Sequence, residues 1–340
     1  MNKISNFPIM FYAVVMGLGG LCVAYESLNK LLKLSQSVGF VLNAFTSLVF
    51  AFISFIYIIK IIKFPNEVRA ELNHPIKINF FAAFAISLLL LAIVFKNNES
   101  AHFGLFYTGL VAQTFMSFYV VASWINRNLE IKHSNPAWFI PIVGNLLVIT
   151  AAQGKDSYLW FYFSFALFFF VGNLLVITAA QGKDSYLWFY FSFALFFYIV
   201  LFSIIFYRIL FCDQLPAKFM PTLFIFIAPP SVAFIDYIKL TGNFNEFSMF
   251  FLSLAIFFGI LVLFMYKNFL KLKFFLSWWA FTFPTAALCI ALVKAYELTE
   301  HKGFLWGGLA AFIGLCALII IVAFYTIKSI KNNDICVTEQ

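Results

Sequence analysis

The chain is 340 residues long, 64% hydrophobic and 21% aromatic, with 11% charged residues and a net charge of +8. A composition this apolar excludes a soluble globule, which would leave large apolar patches in water. The 22 basic residues are spread through short loops rather than gathered on one face, so the charge does not point to a nucleic-acid partner.

Apolar runs near residues 8 to 28, 37 to 63, 78 to 95, 101 to 125, 137 to 152, 186 to 211, 219 to 238, 247 to 266, 275 to 295 and 303 to 327 approach or exceed the roughly 20 residues that cross ~30 Å of hydrocarbon. An all-α polytopic membrane protein is predicted, with about ten transmembrane helices in a single domain spanning 1 to 340. The first run follows Lys3 but lacks a small-x-small cleavage site, so it reads as a retained helix. With both termini cytoplasmic, 14 of the 22 basic residues, including all three Arg, fall on the inner side, as the positive-inside rule requires.

Within the first span, Gly17, Gly19 and Gly20 either let neighbouring helices approach closely or leave backbone exposed to a lumen. The loop after span two carries Glu67, Arg69 and Glu71, read as a solvated charged turn in preference to an ion-pair network. Span five begins Ile140-Pro141-Ile142-Val143-Gly144-Asn145, span seven contains Ala228-Pro229-Pro230-Ser231, and span nine contains Trp278-Trp279-Ala280-Phe281-Thr282-Phe283-Pro284-Thr285. Proline removes a helical N–H and kinks the helix, and in lipid the freed carbonyls are tolerated only where protein or a water-filled cavity satisfies them. These spans are therefore expected to face inward, onto a pore. Asp236 is read as a solvated group at the end of span seven. Lys294, at the outer end of span nine, either steers anions or snorkels to the interface. The five cysteines show no metal or disulfide spacing, and the four histidines lie in loops or at helix ends, so no cofactor and no metal are expected.

Residues 143 to 169, VGNLLVITAAQGKDSYLWFYFSFALFF, recur unchanged at 171 to 197. Repeat arrays drift and need about three units to bury a core, so two identical copies read as an in-frame duplication or an error of sequence assembly. The copy creates an extra apolar segment, but an eleventh crossing would invert every later loop against the charge bias. It also leaves open whether Asn145 or Asn173 takes the inward position in span five.

Four stretches together resemble the tellurite-resistance/dicarboxylate transporter family, which includes bacterial TehA-type proteins and plant slow-type anion channels. They are the charged turn and aromatic helix start at 67 to 81, EVRAELNHPIKINFF, then Val143-Gly144-Asn145, Ala228-Pro229-Pro230-Ser231, and Trp278-Trp279-Ala280-Phe281-Thr282-Phe283-Pro284. The resemblance covers nearly the whole chain in the correct order. It implies a homotrimer whose protomers each enclose a pore, built from five helical hairpins around a quasi-fivefold axis and lined by the odd-numbered spans. It also implies a phenylalanine gate matching Phe283. Span three, 79 to 95, lacks the internal proline some relatives have, which leaves its kink open.

With no Lys or Arg near the middle of an odd span, selection is expected to rest on dehydration. Monovalent anions such as nitrate and chloride pass, and sulfate and phosphate are disfavoured. Exposed backbone dipoles and the polar groups of Thr282, Thr285, Ser231 and Asn145 are expected to offset part of the desolvation. The alternatives are a carrier for malate or another C4-dicarboxylate or for sulfite, which would want a charged group at membrane depth, and an integral membrane enzyme, for which the spans supply no cluster of His, Asp, Glu or Cys. A bacterial inner-membrane location is expected.

Overall fold

The computed structural model describes residues 3–153 and 185–335, and the regular structure among them is helical. Twelve α-helices follow in chain order: α1 Tyr12–Leu32, α2 Gln36–Lys63, α3 Pro65–Asn73, α4 Ala82–Val94, α5 Glu99–Asn126, α6 Ile140–Ala151, α7 Ser185–Phe211, α8 Ala228–Thr241, α9 Glu246–Phe264, α10 Tyr266–Leu270, α11 Thr282–Thr299 and α12 Lys302–Lys331. Among the described residues nine helical spans are long and apolar enough to cross a membrane. Pro136–Ala151 is a tenth, shorter apolar helix, reaching about 26 Å if its first four residues rise as a 3-10 helix and the rest as α.

Five helices form a closed inner ring in which α1 touches α4, α4 touches α6, α6 touches α8, α8 touches α11 and α11 returns to α1. Outside it, α2 packs on α1, α5 on α4 and α6, α7 on α6, α9 on α8, and α12 on α11. Burial separates the two layers. Of the most apolar 18 residues in each span, 78, 72, 72 and 67% are buried for α1, α4, α8 and α11 with their lead-ins, against 22 to 44% for the outer helices. The whole of 136 to 149 is buried. Outer-helix side chains such as Phe52, Ile62, Leu263, Phe264, Ile320 and Phe324 remain exposed, which is the apolar surface that lipid covers.

All five inner helices start in the same way. Each α-helix follows a 3-10 lead-in: Ile9–Phe11, Lys77–Phe81, Pro136–Phe139, Ala217–Ile227 and Leu276–Phe281. Pro141, Pro229, Pro230 and Pro284 fall within the first three residues of α6, α8 and α11. Initial helical N–H groups have no partner within the α-helix, so proline costs little there. These prolines therefore mark the change from 3-10 to α winding rather than a kink in mid-helix. Span three makes the same change at Phe81 without an internal proline. At the other end, the outer helices α5, α9 and α12 begin on capping side chains, Asn98, Asn245 and His301.

The identical copies are divided between two helices. Residues 143 to 151 of α6 come from the first copy and residues 185 to 197 of α7 from the second. Helix α6 ends where Lys239 of α8 donates to the Ala152 carbonyl at 2.6 Å, and Phe191, near the start of α7, packs on Tyr237 of the same α8 end. The chain thus leaves α6 and re-enters α7 at one end of the bundle, so the downstream helices are not inverted. Asn145 occupies the span-five position, and Asn173 lies outside the described residues.

Candidate anion pathway

The inner ring converges on a cavity of about 30 Å³. Its walls are Ala13 and Met16 of α1, Phe80, Ile140 and Val143 of α6, Ile225 and Ala228, and Trp279, Ala280, Phe283 and Pro284. Every inner span contributes, and none of these side chains is charged. Phe283, the second residue of α11, is buried. Its ring is placed by close packing of α1 on α11. A Cβ at Gly20 would sit 2.9 Å from Ala286 and 3.5 Å from the Phe283 ring, and one at Gly17 would sit 2.2 Å from the Thr282 hydroxyl. Gly19 turns to α4, where a Cβ would meet Leu90 at 3.1 Å. Of the two readings open for these glycines, helix approach is the one the geometry supports.

The polar residues expected near the axis have other partners. Ser231 donates to the Ile227 carbonyl, Thr282 to the Trp279 carbonyl and Thr285 to the Phe281 carbonyl, each at 2.7 Å. Those hydroxyl protons are committed to the backbone at the 3-10 to α change. Asn145 turns toward the outer helix α5. Its amide donates to Ser117 at 2.9 Å and to the Pro141 carbonyl at 2.9 Å, and Ser117 donates back to its oxygen at 3.2 Å. Gln113 of α5 also donates to Pro141, at 2.7 Å, and lies where a side chain on Gly144 would clash at 2.2 Å. Pro141, Gly144 and Asn145 thus fasten α6 to α5. Gln113 and Ser117 lie on an outer span, where proline gave no reason to look.

At the end where the inner helices begin, a vestibule of about 460 Å³ is lined by residues preceding α1, α4, α8 and α11, together with α3, the end of α2 and the end of α12 with Asp334 and Ile335 beyond it. The pairing here corrects the solvated-turn reading. Lys60 is 2% exposed, and its ammonium lies 3.1 Å from Glu71 and donates to the Phe7 carbonyl at 2.9 Å. Tyr57 donates to the same carboxylate at 2.8 Å.

The opposite mouth holds a cavity of about 300 Å³ beside Lys96, Thr150, Gln153 and Lys239. Asp236, expected in solvent, is instead fully buried and accepts from Thr150 at 2.7 Å. Its position as the ninth residue, about two turns, into a helix that began late, behind an 11-residue 3-10 stretch, is what the sequence did not reveal. Lys294 pairs with Glu297 at 2.9 Å. Among the described residues no group of His, Cys, Asp or Glu is arranged to hold a metal.

Comparison with known proteins places the chain in a family. The chain is 30% identical to the S-type anion channel SLAH2 of Arabidopsis thaliana over 85% of its length, and spans 52% of that relative. It is 27% identical to the uncharacterized transporter MJ0762 of Methanocaldococcus jannaschii, covering 89% of this chain and 90% of the relative. A tellurite resistance protein TehA homolog of Haemophilus influenzae is 27% identical over 42% of this chain and 45% of its own. The chain therefore covers about half of the plant channel it resembles. The voltage-dependent anion channel (SLAC1) family matches residues 6–327, and this membrane protein belongs to it.

Proposed function

We propose that the protein is an anion channel that passes small monovalent anions, nitrate and chloride among them, along the axis of each protomer, with Phe283 as the gate. The observation that carries this reading is the apolar cavity at Phe283, to which all five inner spans contribute and where the neighbouring hydroxyl donors are already spent on backbone. A passage without a fixed cation cannot hold an anion tightly, and conduction needs binding weak enough to leave. Anions that shed water easily then cross first, so nitrate exceeds chloride, and sulfate is refused. With only about 30 Å³ of space beside it, the Phe283 ring would have to swing aside for an anion to pass.

The protein is further proposed to assemble as a homotrimer in a bacterial inner membrane, with both termini and the 460 Å³ vestibule on the cytoplasmic side, the side the basic loops favour. Purified protein in planar bilayers tests the reading. Reversal potentials that rank nitrate above chloride and exclude sulfate are expected. Saturable, proton-linked malate uptake without current would overturn it.

A carrier for C4-dicarboxylates or sulfite is the second reading. It is favoured by Asp236, a buried carboxylate in α8 of the kind proton coupling requires. In that case Asp236→Asn abolishes proton-linked uptake, whereas a channel keeps its current in this variant.

A further inference from the structure

The vestibule is lined by three lysines, Lys60, Lys77 and Lys218, and three carboxylates, Glu67, Glu71 and Asp334. A mouth built only to attract anions would not balance its charges in this way. Lys60 and Glu71 also form a closed pair. The lysine contacts Glu71 and the Phe7 carbonyl and lies 5.6 Å from the centre of the Tyr57 ring. The carboxylate accepts from Tyr57 and, at 3.4 Å, from the Ile9 backbone N–H in the lead-in to α1.

We propose that this pair is a charge lock that determines how strongly the vestibule attracts anions, with Glu71 masking Lys60 so that no anion is held at the mouth of the path. The inference rests on the conduction reading above. If Glu71 becomes neutral, one lysine of the wall is unmasked and the vestibule gains a net positive charge. If Lys60 becomes neutral, a carboxylate faces the path uncompensated. The two neutralisations therefore act in opposite directions, whereas a pair that only holds α3 against α1 and α2 would give the same direction for both. A single charge acting over several ångströms of water changes local anion concentration about two- to threefold, and salt near 1 M screens it out.

The experiment records unitary current in planar bilayers at 0.05 M and ~1 M nitrate for the unaltered chain, Glu71→Gln, Lys60→Gln, the double variant and the charge-conserving Lys60→Arg. At low salt the expected result is a rise of about two- to threefold for Glu71→Gln, a comparable fall for Lys60→Gln, and values near the unaltered chain for the double variant and Lys60→Arg, all converging at high salt. Equal losses in both single variants at both salt concentrations would overturn the proposal. Should Glu71→Gln or Lys60→Gln fail to fold, Glu71→Met and Lys60→Met remove the same charges without leaving a buried amide unpaired and carry the same opposite-sign test. If the unaltered chain passes no current, the conduction reading fails. The same variants are then compared by nitrate-dependent melting temperature. A larger nitrate shift in Glu71→Gln than in Lys60→Gln keeps the lock, and equal shifts remove it.

Discussion

The narrow point and the vestibule that precedes it are built on opposite principles. Around Phe283 the cavity measures about 30 Å³ and carries no charged side chain, whereas the vestibule measures about 460 Å³ and has six charged residues in its wall. The contrast separates two tasks that one site cannot perform together. In the proposed channel, long-range attraction would work in the wider region, where fields reach into solution. Selection would work at the Phe283 cavity, where an anion gives up water and finds no cation to detain it. The neck is held by packing and the vestibule by ion pairing and hydrogen bonds, so different perturbations should damage each.

The largest effect is expected from Gly17→Val. Its Cβ has no room beside Thr282, so α1 must move off α11. Overpacking of this kind costs ~1–3 kcal/mol, read as a lower unfolding midpoint in detergent together with loss of current. A variant with unchanged midpoint would break the claim that this contact sets the neck.

Next comes Asn145→Ala. It leaves the α5–α6 polar cluster short of a donor at a cost of about 1–3 kcal/mol, with nitrate-over-chloride preference unchanged because the side chain faces Ser117 rather than the axis. A change in selectivity at constant stability would return Asn145 to the pathway.

Removing residues 154 to 181 should have a small effect. Gln153 is then followed by Gly182, as it was by Gly154, and α6 and α7 keep the sequence from which they are built. Current per channel should stay within about twofold, a difference of ~0.4 kcal/mol. Loss of folding would show that the surplus copy is needed. The smallest effect is expected from Lys294→Ala, whose half-exposed pair with Glu297 contributes at most ~1 kcal/mol and whose loss should leave selectivity untouched.

The sequence made some of this plain and hid the rest for identifiable reasons. The apolar runs locate the nine long spans and the shorter helix Pro136–Ala151, whereas the gate role of Phe283 rests on Pro284 and the family motif and stays a proposal. The prolines pointed to three inner spans but misplaced the feature, because they mark the start of α winding and not a kink. The shared change in α1 and α4 leaves no internal proline to see. Asn145 looked like a lumen group because a polar residue beside a proline has two ways to face. Which it takes depends on Gln113 and Ser117, 32 and 28 residues earlier. Glu71 read as solvated because its partners Lys60 and Tyr57 lie on another helix and the burial comes from the lead-in to α1. Asp236 lies near a helix end in sequence but inside the bundle in space.

The most direct test of the central claim is a volume series at the neck, with unitary nitrate current measured for Phe283, Phe283→Leu and Phe283→Ala in planar bilayers. Current should rise as the side chain shrinks, by about tenfold or more for alanine, the change that ~1.4 kcal/mol off the barrier produces, with nitrate still ahead of chloride. Currents that do not depend on the residue at 283, in protein that folds as the unaltered chain does, would contradict the account and move the conduction path away from the ring of inner helices.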